Sequence, residues 1–372
     1  MTMNSTRGSA SLLWTAAMLL MLAGCTAPGV HGPVRRPAEV RAEIVRLIPA
    51  SVADRQGWAT DIEAAFSAQK FDANNSNLCA VLAVAEQESG FQVDPVVAGL
   101  PKIAHDEIFR RSEAMHVPDF VVNAALGVSS SNGRTYEERI AHVRTEKDMS
   151  YIFEDFIGMV PLGQRLFGQL NPVRTIGPMQ VGIAFAEANA KDYPYPIRDS
   201  IRHELFTRRG GVYFGTLHLL GYPANYAEPL YRFADYNAGR YASRNAAFQS
   251  AVSGASGIAF AHDGSLLKPD AAFDEPGATE RALRSLDKLL NIDDRAIREG
   301  LAQGRSAEFE RSDLYQHVFL LADRIQHQHM PRALLPAITL EGPKISRNLT
   351  TAWYAQRVDQ RYKRCVRQAA GN

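Results

Sequence analysis

The sequence predicts a mostly α-helical protein. Two patterns point to helices. Apolar residues recur at three- and four-residue spacing along most of the chain, and no convincing run alternates apolar and polar residues as a half-buried strand does. The chain also has 372 residues, of which 46% are hydrophobic, enough for a real core in one large domain or two ordinary ones. The formal net charge is +1, which argues against nucleic acid as the main partner, because phosphate-binding domains carry a basic excess. No internal repeat is present.

Taken in order, Val40, Ile44, Leu47 and Ile48 mark the first helix face, with Pro49 near its end. Ile62, Ala65 and Phe66 mark a second. A third opens at Asn75 or Ser76, both good N-caps, and runs to Gly90. Residues 101–170 hold several amphipathic pieces, broken at Pro118 and over 129–133. After Pro178 the helical pattern resumes, with a long apolar-periodic segment from Ile201 to Leu220. The polar stretch from His262 to Gly277 reads as a boundary. Beyond it, Leu283, Leu286, Leu289 and Leu290 mark one helix, and Leu314, Val318 and Leu321 another. Residues 334–348 are less regular. The final helix is basic around Arg357, Arg361, Lys363, Arg364 and Arg367, which reads as a solvated face.

The N-terminus is set apart from the fold. Arg7 supplies a short positive region, and Leu12–Ala23 is an apolar run too short to span a bilayer as a permanent helix. It ends in Leu22-Ala23-Gly24-Cys25, which resembles the lipobox of bacterial lipoproteins. That resemblance implies a signal peptide over 1–24, acylation of Cys25 and a Pro-, Gly- and Arg-rich tether over 25–38. An ordinary secretory signal with an incidental Cys25 is the alternative. Thr26 stands after the cysteine where an aspartate would retain the protein, so sorting to the periplasmic face of the outer membrane is implied. In that oxidising compartment Cys79 and Cys365 have two fates, a disulfide or two separate buried thiols, and sequence does not place them within bonding distance.

Glu88 is the first candidate for chemistry. At 100° per residue Val81 and Val84 lie close to its direction, Ala85 lies nearby, and Glu86 points almost the opposite way, toward solvent. The carboxylate thus extends an apolar stripe at the negative end of a helix. Desolvation and the helix dipole both disfavour its ionised form and raise its pKa, as a general acid near neutral pH requires. A surface glutamate at a frayed helix end is the bland alternative.

Three more stretches follow: Thr175-Ile176-Gly177-Pro178-Met179-Gln180-Val181, Gly211-Val212-Tyr213-Phe214-Gly215-Thr216-Leu217, and Ala234-Asp235-Tyr236-Asn237-Ala238-Gly239. With Glu88-Ser89-Gly90-Phe91 ahead of them, their order resembles the lytic transglycosylases, whose catalytic domain has a goose-type-lysozyme-like fold. The resemblance covers roughly residues 75–98 and 175–250. It implies that Glu88 is the acid/base, that Ser89 orients bound sugar, and that Met179 and Gln180 line the cleft. It further implies that Tyr236 hydrogen-bonds and positions Glu88, and that Asn237 supports the loop. Met179 as plain core filling and Tyr236-Asn237 as a helix-end turn are the structural alternatives. The implied domain spans 39–262, and 278–372 forms a C-terminal helical extension.

Most glycoside hydrolases use two carboxylates, and these motifs supply one. The implied chemistry is therefore substrate-assisted. Glu88 protonates the glycosidic oxygen between MurNAc and GlcNAc, and the muramic acid C6 hydroxyl attacks in place of water to leave a 1,6-anhydro end. No metal or organic cofactor is needed. The implied partners are peptidoglycan glycan strands, the membrane through the N-terminal lipid, and envelope proteins. Pro178 departs from the usual leucine, and an insertion at about 99–174 is far longer than the family's connection. That insertion is expected to act as a lid, a specificity wall or a docking surface. Its Glu146, Asp148, Glu154 and Asp155 are candidates for a second carboxylate, which would make the protein a hydrolytic muramidase, although solvated helix faces are their default. A catalytically idle glycan-binding scaffold is the remaining reading. His327 and His329 fall on different helix faces with no third ligand nearby, which disfavours zinc.

Overall fold

Side-chain caps set many of the helix boundaries. Asn74 accepts from the Asn77 amide at 2.9 Å to start one helix, and Thr135 and Thr145 each form a capping box with the acid three residues on. The computed structural model describes Met1, residues 35–342 and residues 347–371. The predicted signal peptide, Cys25 and most of the tether lie outside the described residues. Residues 37–372 form one compact unit, separate from Met1–Arg36.

The protein is mostly α-helical. The chain opens with α1 (Pro37–Leu47), α2 (Arg55–Gln69) and α3 (Asn75–Ser89). The insertion contributes α4 (Leu100–Ala114), α5 (Asp119–Leu126), α6 (Tyr136–Ala141), α7 (Glu146–Gly158) and α8 (Gly163–Phe167). An antiparallel hairpin of β1 (Thr175–Ile176) and β2 (Val181–Gly182) leads into α9 (Ile183–Ala188), α10 (Ile201–Leu205) and α11 (Arg208–Leu220). Then come α12 (Pro229–Ala238) and α13 (Ala242–Ser256). The C-terminal region holds α14 (Ala278–Arg284), α15 (Asp287–Leu290), α16 (Asp294–Ala302) and α17 (Asp313–Gln326). A second small hairpin pairs β3 (Thr339–Leu340) with β4 (Leu349–Thr350) before α18 (Thr351–Ala369).

Two apolar clusters organise these helices. The larger joins α1, α2, α3, α11 and α12, with Ile44, Trp58, Ile62, Val81, Val84 and Phe214 fully or almost fully buried. The insertion packs into this same core through Leu100, Val122, Tyr136, Ile140 and Ile152, so α4–α7 are anchored to the body. The smaller cluster joins α13 to α14–α17 around Phe248, whose ring lies 5.0 Å from Phe309 and 5.7 Å from Tyr315.

The expected C-terminal extension divides between these cores. α14–α17 build the smaller one, but α18 returns to the larger one and lies against α3 and α12, burying Tyr354, Ala355 and Val358. Cys79 of α3 and Cys365 of α18 form a disulfide across 286 residues of sequence. The basic face of α18 is also less solvated than expected. Arg364 donates to Glu86 at 2.6 Å, and Arg361 lies 3.6 Å from the same carboxylate.

Candidate functional site

The site is built on the C-terminal end of α3. Gly90 caps that helix at φ 60°, where a side chain would be strained. Above it the β1–β2 turn, residues 177–180, seats on α11. Three glycines explain how it can. A Cβ on Gly177 would come within 2.3 Å of the Leu205 carbonyl, one on Gly211 within 2.4 Å of the Pro178 ring, and one on Gly215 within 2.5 Å of the Met179 sulfur. The glycines of α11 are therefore the floor on which the turn rests. Pro178 is accommodated there by Gly211.

Two hydroxyls clamp this turn. Ser89 Oγ lies 2.9 Å from the Pro178 carbonyl and 3.1 Å from that of Ala85, and donates to them. Tyr236 of α12 donates to the Met179 carbonyl at 2.6 Å. The ends of α3 and α12 and the 177–180 turn thus meet at one place.

Glu88 lies at that junction, partly exposed, with Val81, Val84 and Ala85 buried along its helix. Burial drives its carboxyl upward, a hydrogen bond from Tyr354 opposes this, and the net pKa is pushed up to about 7. Near neutral pH such a group is both acid and base. Tyr354 and Tyr236 are both pushed well above a free phenol, first by burial and then by the charge of Glu88. Both phenols therefore keep their protons beside the carboxyl group.

Several expected roles are corrected. Tyr236 does not hydrogen-bond Glu88: its hydroxyl is committed to the Met179 carbonyl, and Tyr354 of α18 donates to Glu88 instead. Met179 does not line a cleft with its side chain, which is fully buried against Gly215. Ser89 is buried and spends its hydroxyl on backbone carbonyls, so it holds the turn and is not directed at a sugar. Asn237 is exposed and accepts from Thr351 Oγ1 at 2.8 Å, so it supports the start of α18 rather than its own loop. Gln180 is half-buried in the left-handed region at φ 48°, and its amide donates to Glu146 Oε2 at 3.0 Å.

The four acids of the insertion separate clearly. Asp148 caps α7, Asp155 takes Arg139 and Tyr136, and Glu154 pairs with His203 at 2.7 Å. Glu146, 8% exposed, is the one bonded to the 177–180 turn. Among the described residues no group of three His, Cys, Asp or Glu side chains could hold a metal ion.

Reading the sequence missed four contributors. Tyr354 and Thr351 lie more than a hundred residues from any motif. A signal was present: Tyr354, Val358, Arg361 and Cys365 follow helical spacing, so a Cys79–Cys365 pairing would have brought that face onto α3. His218 was also missed. Its ring packs 4.8 Å from those of Phe185 and Tyr236, and its Nε2 lies 3.3 Å from the Tyr236 carbonyl. Burial and then the Arg240 charge lower its pKa to about 4, so it is neutral and braces Tyr236. Asp235 was passed over inside its motif. Fully buried, it accepts from Tyr222, Tyr226 and the Tyr241 and Ser243 amides, and so fixes the α12–α13 corner.

The chain is similar to the uncharacterized protein YaiW of Escherichia coli (strain K12), with 53% identity over 352 residues, covering 94% of this chain and 96% of that protein. No solved structure matches it. A family match over residues 51–368 takes in every residue of the site described above, and the chain accordingly belongs to the family described as Protein of unknown function (DUF1615).

Proposed function

We propose that the protein is a lipid-anchored lytic transglycosylase of the cell wall, acting at the periplasmic face of the outer membrane. The observation that carries this reading is the setting of Glu88: its carboxyl accepts from Tyr354, burial pushes its pKa up to about 7, and it acts on Tyr236, whose hydroxyl holds the 177–180 turn. A single acid with that pKa can serve both halves of the reaction. Protonated, it gives its proton to the glycosidic oxygen as the bond from muramic C1 to that oxygen breaks. Ionised, it takes the proton of the C6 hydroxyl as that oxygen bonds to C1. Tyr354, donating to Glu88, stabilises the carboxylate between the two steps. The glycan strand is the substrate, and no cofactor is required.

One observation favours a second reading. Glu146 is buried and bonded to Gln180 in the turn beside the proposed acid, where a second carboxylate would activate water. Digestion of purified sacculi followed by mass spectrometry of the soluble fragments separates the two. Anhydro-ended muropeptides with the wild type, and none with Glu88→Gln, are expected. Reducing ends lost in Glu146→Gln would replace the transglycosylase with a muramidase. Sacculi that are bound but not cut would leave a glycan-binding scaffold.

A further inference from the structure

The insertion carries an apolar surface that the glycan chemistry does not use. From Met159 to Leu170 the chain exposes Met159, Val160, Leu162, Leu166, Phe167 and Leu170, with Leu162 69% and Leu166 61% accessible. Arg165 is the single charged side chain in that stretch, and it contains no acid. The segment is a built shape. Gly163 is buried so tightly against α7 that a Cβ there would lie 1.8 Å from the Ile157 carbonyl, and Leu162 sits at φ 61°. Six exposed apolar side chains within twelve residues are an unusual concentration for a surface without an occupant.

The chain outside the described body argues for which occupant. Only a dozen residues separate Cys25 from Pro37, the first residue of α1. Fully extended they reach about 40 Å. A compact body of this size has a radius of gyration of about 20 Å, so any of its faces can be brought to a lipid layer by such a leash. A lone arginine amid leucines and a phenylalanine suits an interface, where the aliphatic stem lies among acyl chains and the charge among headgroups. We infer that residues 159–170 are a membrane-docking wedge that inserts into the lipid surface carrying the anchor and fixes how the body faces the cell wall. The inference rests on the anchor proposed at Cys25, and not on the glycan reaction.

The test uses the full chain purified from membranes, with Phe167→Trp, added to phosphatidylethanolamine–phosphatidylglycerol vesicles that contain chain-brominated lipid. Trp14 falls in the predicted signal peptide, Trp58 is buried and Trp353 half-buried, so the wild type, processed alike, gives the background. At least two-fold stronger quenching than wild type is expected, and Leu162→Asp with Leu166→Asp should return it to background. Leu166→Trp provides the same readout should Phe167→Trp fail to fold. Quenching no greater than wild type overturns the wedge, and so does a tryptophan shielded only when a second protein is added. Intact mass separates this result from the anchor. An unacylated chain that still quenches keeps the wedge and removes the anchor, whereas an acylated chain that does not quench removes the wedge.

Discussion

Glu88, partly exposed at the edge of the larger core, and Glu280, buried in the smaller one, are glutamates of one chain treated in opposite ways. Glu280, 0% exposed in the smaller core, accepts from Arg298 at 2.8 and 3.0 Å and from Arg284 at 2.6 Å. Burial raises its pKa, and the two guanidinium groups more than reverse that, so it stays below the usual carboxylate range. Glu88 receives one neutral phenol and no cation, and burial wins. A carboxylate with two arginines is a permanent anion that ties helices together. One with a phenol is left able to exchange its proton. Burial alone does not mark a chemical site; the charge of the partner does.

The sharpest way to break this contrast is to remove each charge in turn. Glu88→Gln should lower sacculus cleavage by about 100- to 10,000-fold, the usual weight of a general acid, as read from release of anhydro-muropeptides. The same variant should be more stable than wild type at pH 8. Glu280→Gln should do the reverse, costing about 3 kcal/mol in denaturant unfolding by leaving two arginines without their anion, with glycan cleavage spared at temperatures where the variant stays folded.

The pH dependence sharpens the comparison. The folded pKa of Glu88, about 7, lies above the 4.5 of a free glutamate, so the folded chain holds that proton more tightly. Its contribution to stability is full below about pH 4.5 and is lost as pH rises through 7, a swing of about 3 kcal/mol. Wild type minus Glu88→Gln, measured from pH 4 to 8, should fall by that amount. Glu280 has a lowered folded pKa, so its contribution is present above the free value and disappears on acidification. The smallest expected effect is that of Tyr354→Phe. Loss of the donor that stabilises the anion should raise the Glu88 pKa further, moving the alkaline limb of the pH–rate profile upward by about one unit. An unmoved limb would remove Tyr354 from the site.

Local signals carried much of this molecule. Apolar spacing located Val40–Leu47, Ile62–Phe66 and the stretch that ends at Gly90, because a 3.6-residue period is written in adjacent residues. The placement of Glu88 on an apolar stripe was legible for the same reason. The two short hairpins were not read, since two-residue strands leave no alternation to detect. The roles given to Ser89, Met179 and Tyr236 went astray because a motif fixes which residues meet, but not whether a side chain or a backbone carbonyl receives a given hydroxyl.

The sequence by itself determined a helical chain and an acid at an unfavourable helix end. Only the tertiary structure decided which residue answers that acid. Tyr354 stands 266 positions from Glu88, and its arrival depends on α18 leaving the helices that precede it and crossing to the other core. Nothing in either segment alone encodes that crossing. It is selected by the joint burial of both helix faces and sealed by the bond between Cys79 and Cys365.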